Sequence, residues 1–144
     1  IFAPCKGKIL KDEKDLKEIS SKSFRWEYIQ DDTLFYVAKK VEIEKEFRFF
    51  IYNEEIITSS QYFLNGSLYT RNLDEVEEEE IDKLKSFVNY LTKINKPNTM
   101  YVLDIAKRPD GVYKLLEYNV FNCSGTYACD TNKILNKLRE KYDK

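Results

Sequence analysis

Hydrophobic and polar residues alternate along residues 43 to 53, which is the period of a β-strand with two different faces. Phe47, Phe49 and Ile51 fall on one side of this strand, whereas Arg48 falls on the other. The alternation therefore predicts a strand that presents an arginine from the side opposite these three apolar side chains.

Turn residues separate this strand from the two strands predicted after it. Asn53-Glu54-Glu55 turns the chain into residues 56 to 62, and Asn65-Gly66 turns it again into residues 67 to 70. Further along the chain, Asp110-Gly111 stands between two β-rich runs and is one of the strongest signals for a tight hairpin.

Two helices are predicted from apolar residues at helical spacing. The first covers residues 75 to 94, with Asp74 as its cap and the run Glu77 to Glu80 as a solvated face in its first turns. The second begins after Asp130, which can cap it. Its predicted buried stripe consists of Ile134, Leu135, Leu138 and Tyr142.

Shorter elements are predicted in the first 40 residues. Asp12 can cap a helix that extends to Ile19, and strands are expected over residues 24 to 29 and 33 to 39. Taken in chain order, strands, hairpins and helices of this kind predict an α+β fold with a mostly antiparallel sheet packed against helices.

Composition restricts the classes to which the protein can belong. A length of 144 residues suits one domain with a real core, and 42% hydrophobic residues with 11 Tyr and 9 Phe indicate a globular, β-rich protein. A net charge of −1 without a basic stripe disfavours nucleic-acid binding. No apolar run is long enough for a membrane span, and no signal peptide is expected.

Cysteine and histidine usage excludes several chemistries. Cys5, Cys123 and Cys129 are an odd number without metal-finger spacing, so free thiols in a reducing cytoplasm are expected. The absence of histidine from the chain excludes a histidine-dependent catalytic triad and a histidine-liganded zinc site within it.

The Asp110-Gly111 hairpin brings polar residues together. With these two as the loop, Ala106 lies opposite Leu115 and Asp104 lies opposite Glu117. Asn119 is then one diagonal step away and opposite Val102, on the same sheet face as the two carboxylates.

Asp104, Glu117 and Asn119 form a candidate metal site. Two carboxylates directly opposite each other repel, and a divalent cation between them would turn that repulsion into binding. Two charged ligands and one amide oxygen suit magnesium that sits against substrate phosphates better than they suit zinc. The alternative is that the three side chains are only a solvated polar face.

This trio carries a resemblance to a known family. Asp104 on one strand, followed by Glu117-Tyr118-Asn119 on the next, resembles the metal-binding signature of the ATP-grasp superfamily. The run from Leu115 to Asp130 is similar to the R-two-K clade of ATP-grasp proteins of phages and bacteria, and so are residues 45 to 50 with residues 59 to 62 after them. Together the matches cover roughly residues 35 to 130.

The resemblance implies residues for ATP as well as for magnesium. Lys6 or Lys8 would lie in the phosphate-covering loop of the small nucleotide lobe, although solvated lysines on a turn are the alternative. The segment from Tyr36 to Lys39 would be the hinge whose backbone contacts adenine, which makes Tyr36, Val37 and Lys39 candidates. Glu46 belongs to the same implied set of nucleotide-binding residues.

Two arginines have implied catalytic roles. Arg48 would face the triphosphate, where its guanidinium fork can hold two phosphate oxygens at once, and we expect it to serve the nucleotide and not the fold. The alternative is a surface ion pair with Glu46, worth under about 1 kcal/mol. Arg71 would hold substrate or a developing acyl phosphate, or else simply cover the start of a helix.

The implied function is ATP- and magnesium-dependent ligation. A carboxylate substrate attacks ATP to give an acyl phosphate, and an amine substrate then displaces phosphate; a peptide or protein is among the candidate substrates. One alternative is a nucleotide-binding assembly factor that performs no ligation, as in the ATP-grasp cell-division-cycle proteins. Another is a degenerate domain that binds a partner without nucleotide, which Ala3 and a short loop suggest.

The same resemblance implies the domain organisation. Residues 1 to 40 would be a partial small lobe with the hinge, and residues 41 to 144 the larger C-terminal lobe of a single ATP-grasp-like domain. Because a complete ATP-grasp enzyme normally carries an additional N-terminal domain and this chain opens at Ile1, we expect it to be part of a longer protein.

Overall fold

The computed structural model describes residues 39 to 142 of the chain. By its internal contacts the chain divides into Ile1–Lys40 and Val41–Lys144, and the second unit is the one described below. The helix and strands predicted before residue 39 therefore lie outside the described residues, as do the candidates Lys6, Lys8, Tyr36 and Val37. Among the helices within residues 39 to 142, none combines the length and apolar character that a membrane span requires.

Five strands and two α-helices make up the described unit. The strands form one antiparallel sheet in the order β3-β2-β1-β4-β5. Their bounds are β1 Lys45–Tyr52, β2 Glu55–Leu64, β3 Ser67–Asn72, β4 Met100–Lys107 and β5 Tyr113–Val120. Helix α1, Glu79–Ile94, joins β3 to β4, and a 3₁₀ turn, Phe121–Cys123, precedes helix α2, Thr131–Tyr142. The predicted α+β architecture with an antiparallel sheet is confirmed.

One face of the sheet is apolar and lies under α1. Phe47, Phe49 and Ile51 of β1 are completely buried there, as the alternation predicted. The other fully or almost fully buried members of this core are Leu73, Ile81, Leu84, Val88, Tyr101, Leu103 and Ile105. Burying each large apolar side chain is worth about 1.5–3 kcal/mol, so this face supplies most of the stability.

The opposite face of the sheet is divided between apolar and polar residues. Phe50, Val102, Cys129 and Ile134 form a second, smaller core with α2. Arg48 leaves the same face of β1 two residues before Phe50, in agreement with the predicted alternation. The polar part of this face therefore lies directly beside the smaller core.

Helix α1 begins later than predicted, and Asp74 does not cap it. The helix starts at Glu79, and Glu78 occupies the capping position without a side-chain hydrogen bond. Asp74 instead accepts hydrogen bonds from the Ser59 backbone N–H at 2.8 Å and the Thr58 hydroxyl at 2.9 Å. Its partners are thus on β2, and the helix gains no cap from it.

Asp74 also joins β2 to α2. The Lys133 ammonium of α2 donates to Asp74 Oδ2 at 2.8 Å. Burial by itself raises the pKa of Asp74, but the hydrogen bonds from Lys133, Ser59 and Thr58 outweigh it, and the net pKa is lowered. The carboxylate is therefore a tie between elements, favoured in its charged form.

We expect Asp74 to contribute stability that disappears in acid. Its folded pKa is lowered, so its contribution is fully present above the unfolded pKa of about 4 and is lost as the pH falls through the lower folded pKa. Asp74→Asn should therefore lower the free energy of unfolding at pH 7, and the gap between variant and parent should close in strong acid. Denaturant unfolding of both proteins across this pH range measures the gap. A gap that does not change with pH would contradict the prediction.

Glu80 is also not the solvated residue that the acidic run suggested. Its carboxylate is ion-paired with Lys45 of β1 at 2.7 Å and with Lys107 of β4 at 2.6 Å. Glu79, one position earlier, is exposed and, among residues 39 to 142, pairs with Lys83 along its own helix. The prediction was wrong for Glu80 because helical phase turns this member of the run toward the sheet.

Helix α2 begins as predicted, but fewer of its residues are buried than the predicted stripe contained. Asp130 Oδ1 accepts the backbone N–H groups of Asn132 at 2.9 Å and Lys133 at 3.3 Å, which confirms it as the cap. Ile134 is buried, whereas Leu135 is 49% exposed and does not belong to the buried stripe. The side chain of Tyr142 lies outside the described residues.

The hairpin between β4 and β5 has a three-residue loop instead of the predicted two. The Arg108 N–H donates to the Val112 carbonyl at 3.0 Å, and Gly111 has a φ of +82°. Pro109 explains the difference, because a two-residue loop would need its backbone N–H and proline has none.

The longer loop shifts the register, and a β-bulge then restores it. Ala106 faces Lys114, so its predicted pairing with Leu115 is wrong. An irregularity between Asp104 and Ile105 adds one residue on the β5 side. Beyond it, Asp104 lies opposite Glu117 as predicted.

Candidate functional site

A row of polar residues crosses the whole sheet on the face that packs against α2. Reading from β3 to β5, the directly paired residues are Asn72, Ser60, Arg48, Asp104 and Glu117. Directly paired residues in an antiparallel sheet project from the same face, so the five side chains form one continuous line. The centre of this line is the candidate site.

Arg48 and Asp104 form a buried two-point ion pair at the centre of the row. Arg48 Nε donates to Asp104 Oδ1 at 2.8 Å, and Nη2 donates to Oδ2 at 2.7 Å. Asp104 is 1% exposed and Arg48 is 8% exposed. Burial raises the pKa of Asp104, and the guanidinium opposes that shift by stabilising the charged carboxylate.

Asn119 joins the two carboxylates across the hairpin. Its Nδ2 donates to Asp104 Oδ2 at 3.0 Å and to Glu117 Oε1 at 3.0 Å. The amide group therefore stands between the acidic side chains, and the Arg48 guanidinium neutralises the buried one. The repulsion expected from the sequence is offset by these two neighbours.

The three predicted metal residues are brought together, and their chemistry fits magnesium. Magnesium is commonly held by one or two carboxylates together with substrate phosphates, and Asp104 and Glu117 supply two. Rotation of the Asn119 amide would turn its oxygen toward the same point, adding a third hard ligand. Within residues 39 to 142, no group of three or more His, Cys, Asp or Glu side chains forms a metal cluster, so any cation here needs the amide or ligands from elsewhere.

Two stacked tyrosines lie beside the Arg48 guanidinium. The rings of Tyr62 and Tyr127 stack with centroids 4.7 Å apart and planes 9° apart. The Arg48 Cζ lies 5.4 Å from the Tyr62 centroid and 5.0 Å from the Tyr127 centroid. The third guanidinium nitrogen, Nη1, donates to the Gly125 carbonyl at 2.9 Å. The arginine is thus fixed from several directions.

Glu46 contacts Tyr62 and not Arg48. Burial and the negative charges of Asp104 and the nearby Glu46 all raise the pKa of Tyr62, so the phenol stays protonated. Arg48 takes Asp104 as its ionic partner. The ion pair between Glu46 and Arg48 that stood as the alternative is therefore wrong.

Arg71 lies away from the cluster, on the opposite face of the sheet. Arg71 is paired across the strands with Gln61, which in turn is paired with Phe47 of the α1 face. Its guanidinium donates to Glu78 at 2.7 Å, just before α1. Lys39 is exposed and outside any strand, so the strand predicted over residues 33 to 39 does not reach it.

The two described cysteines are free thiols without catalytic surroundings. Cys129 is buried with its Sγ 3.3 Å from the Ser60 hydroxyl, and burial raises the pKa of this thiol to about 11. Cys123 is exposed in the 3₁₀ turn. A buried thiol with a raised pKa is a poor nucleophile, so Cys129 is a packing residue.

Sequence reasoning missed the roles of Tyr62, Tyr127 and Gly125. Tyr62 stood within a stretch that carried the family resemblance, but its place at a β-bulge between Gln61 and Phe63 had no local signal. Tyr127 belongs to a loop and contacts Arg48 only through tertiary packing. Neighbours of this kind are set by packing between distant segments, which periodicity does not report.

A groove of about 710 Å³ adjoins the cluster at Asn119. Its walls include Tyr101, Tyr118, Phe121 and Leu138, and none of its lining residues carries a formal charge. The Tyr101 hydroxyl is buried without a hydrogen-bond partner among the described residues. The groove therefore suits a neutral group and not a phosphate.

Comparison with known proteins gives a family for the chain. A family model described as ATP-grasp domain, R-two-K clade family 3, matches residues 3 to 138. No curated protein sequence is similar to this chain.

Solved structures of the ATP-grasp ligase PsnB are similar to the chain at low identity. PsnB complexed with a minimal precursor is 16% identical over 69% of this chain and 34% of PsnB, with a TM-score of 0.42. PsnB complexed with precursor peptide PsnA2 and AMPPNP is 15% identical over 55% of this chain and 24% of PsnB, with a TM-score of 0.37. PsnB complexed with minimal precursor, Mg and ADP is 15% identical over 55% of this chain and 25% of PsnB, with a TM-score of 0.36. The chain matches about a third or less of the length of PsnB.

Proposed function

Because the chain belongs to the R-two-K clade of the ATP-grasp superfamily, we propose that it serves ATP- and magnesium-dependent ligation of a carboxylate to an amine. The observation that carries this proposal is the convergence of Asp104, Glu117 and Asn119 on one sheet face. Two acidic oxygen ligands and an amide beside a buried arginine suit a cation with bound phosphates.

The proposed reaction has two transfers. A carboxylate oxygen of the first substrate bonds to the γ-phosphorus of ATP as the bond to the β–γ bridging oxygen breaks and ADP leaves. The amine nitrogen then bonds to the acyl carbon, the phosphate leaves with the electron pair of the broken C–O bond, and the nitrogen loses a proton. Neither transfer needs a nucleophile from the protein, which suits a site without histidine and without an activated thiol.

Each residue of the cluster has a defined task in this proposal. Asp104, Glu117 and the Asn119 amide oxygen would hold the cation, and without a cation the Asn119 amide nitrogen links the two carboxylates. Magnesium, when bound, would neutralise charge on the ATP phosphates. Before a cation binds, Arg48 uses three of its five N–H groups on Asp104 and Gly125, which leaves two without a partner among the described residues for phosphate oxygens.

The remaining assignments rest on the family resemblance alone. We propose that Lys6 or Lys8 covers the phosphates and that Tyr36, Val37 and Lys39 border the adenine. Glu46 enters the proposal only through its contact with Tyr62. Arg71 is left out of the reaction because it lies on the opposite face of the sheet.

The substrates are proposed only as chemical classes. Peptides and proteins are among the candidate carboxylate donors; PsnB, for comparison, was seen complexed with a precursor peptide. The groove beside Asn119 would accommodate a neutral part of such a substrate. Free thiols at Cys123 and Cys129 are compatible with the reducing cytoplasm, which is the proposed location.

Nucleotide binding without ligation is the second candidate function. One observation favours it: both Asp104 oxygens already accept hydrogen bonds from Arg48 and Asn119, so in this arrangement Asp104 does not offer a free oxygen to the cation that phosphoryl transfer needs. A carboxylate and an amine that together stimulate ADP release would support ligation over this alternative.

We expect ATP to bind at least about tenfold more tightly with Mg²⁺ than with EDTA, a difference of about 1.4 kcal/mol, because without the cation the phosphates would meet the carboxylates of Asp104 and Glu117 directly. Calorimetric titration of the 144-residue chain with ATP in both buffers measures the ratio. AMP, which lacks the β- and γ-phosphates, is the matched control and should show no such dependence. Equal ATP affinities in the two buffers would remove the basis for a cation at Asp104 and Glu117.

A further inference from the structure

We propose that Tyr62 and Tyr127 are positioning residues that hold the Arg48 guanidinium beside the cluster while its partner changes from Asp104 to a phosphate oxygen. The inference rests on the proposed function of the same site. It assigns a task to two aromatic residues that the proposed reaction does not otherwise use. In the cation-free state the tyrosines support an arginine that is paired with Asp104, whereas in the nucleotide-bound state they would hold it after that pair has opened.

The backbone departs from regular geometry at both tyrosines. Tyr62 occurs at a register shift of β2 between Gln61 and Phe63. Tyr127 has a φ of +48°, a left-handed conformation that is uncommon for a bulky residue. Two unrelated local irregularities therefore bring two rings to the same guanidinium, at 5.4 and 5.0 Å from its central carbon.

The ion pair with Asp104 is not sufficient to hold Arg48 once a cation is present. A cation at Asp104 competes for the two oxygens that now accept from Nε and Nη2. The Gly125 carbonyl and the pair of stacked rings remain as contacts, because neither involves Asp104. A guanidinium released from the carboxylate would then stay next to the cation, with its fork free for phosphate.

Stacked rings suit this role better than a second acid would. An aromatic face attracts a cation without accepting its N–H groups, so it leaves the fork available. Tyr62 remains protonated, since burial and neighbouring negative charge raise its pKa. Tyr62 therefore adds no negative charge that would compete with the incoming phosphate for Arg48.

The test compares Tyr127→Leu with Tyr127→Phe in nucleotide titrations. Tyr127→Phe keeps the ring face, and its affinity for ATP with Mg²⁺ should equal that of the parent. Tyr127→Leu removes the ring and should weaken that affinity by about threefold to thirtyfold, the range expected for a lost cation–π contact. The inference places Arg48 at the γ-phosphate, which ADP lacks, so the same variant should bind ADP with Mg²⁺ as the parent does. Tyr90→Leu, at an exposed tyrosine of α1, is the matched control and should bind both nucleotides normally.

The outcomes separate this inference from the proposed function. If the parent binds no ATP with Mg²⁺, the proposed function fails and the inference fails with it. If the parent binds ATP and Tyr127→Leu binds it equally well, only the positioning role is overturned. Equal weakening for ATP and ADP, or an equal loss in Tyr127→Phe, would assign Tyr127 to general loop structure and would also overturn the positioning role.

Discussion

Arg48→Ala is expected to lower the free energy of unfolding by about 3–5 kcal/mol, the cost of breaking a buried ion pair by removing one partner. Asp104, only 1% exposed, would lose both of its guanidinium hydrogen bonds and keep the Asn119 amide alone. An uncompensated carboxylate in this position must either remain charged in a poorly solvated site or take up a proton. Denaturant unfolding at pH 7 measures the loss.

Arg71→Ala is the matched control for this prediction. Arg71 also makes a 2.7 Å ion pair, with Glu78, but both side chains are 40% exposed or more. Exposed pairs are worth about 0–1 kcal/mol, so the two alanine variants should differ clearly in stability. Arg48→Met combined with Asp104→Leu should recover part of the loss, because no buried charge then stays unpaired. Similar small losses in both single variants would show that Asp104 is well solvated without its arginine.

This expectation replaces the one drawn from the sequence, that Arg48 serves the nucleotide and not the fold. The alternation along β1 places Arg48 correctly on the face opposite Phe47 and Phe49. It contains no information about the strand next to β1, which comes from residues 100 to 107 and supplies Asp104. Pairing between segments this far apart is decided by tertiary packing, so the partner of Arg48 was not predictable from local pattern.

The pairing of Asp104 with Glu117 in the β4–β5 hairpin was predicted correctly, although the loop length and the β-bulge were not. The Asp110-Gly111 signal predicted a two-residue loop, and the lack of an N–H on Pro109 favours three residues instead. The bulge on β5 then moves the pairing back by one, so Asp104 still faces Glu117. Turn chemistry is readable from short motifs, whereas a bulge is fixed by what the strand packs against.

Asp74 shows a third reason why local sequence did not predict the structure. An Asp ahead of an apolar helical pattern is a sound capping signal, and the same signal is right at Asp130. At Asp74 it fails because Ser59, Thr58 and Lys133 offer the carboxylate stronger partners than the helix N-terminus does. Those partners come from β2 and α2, and local sequence does not reveal that the fold brings them there.

Glu117→Gln is expected to remove most of the stabilisation that ATP and Mg²⁺ give the parent. The substitution keeps the shape of the side chain and deletes one charged ligand of the proposed cation, so affinity should fall about a hundredfold, the upper end of the losses seen when residues of a metal site are changed. A ligand at about a hundred times its Kd raises stability by about 2.7 kcal/mol, and a hundredfold weaker affinity would leave only about 0.4 kcal/mol. Thermal melting with and without nucleotide and Mg²⁺ measures this difference.

Without the cation, Glu117→Gln should be at least as stable as the parent. Removing a charge opposite Asp104 relieves repulsion, but the relief is small because Arg48 and Asn119 already offset it. Glu79→Gln, at an exposed carboxylate of α1, is the matched charge control and should leave nucleotide stabilisation unchanged. A Glu117→Gln protein that melts clearly lower without the cation, yet gains as much from ATP and Mg²⁺ as the parent, would make Glu117 a structural acceptor for the Asn119 amide. The cation would then have to be held by other residues.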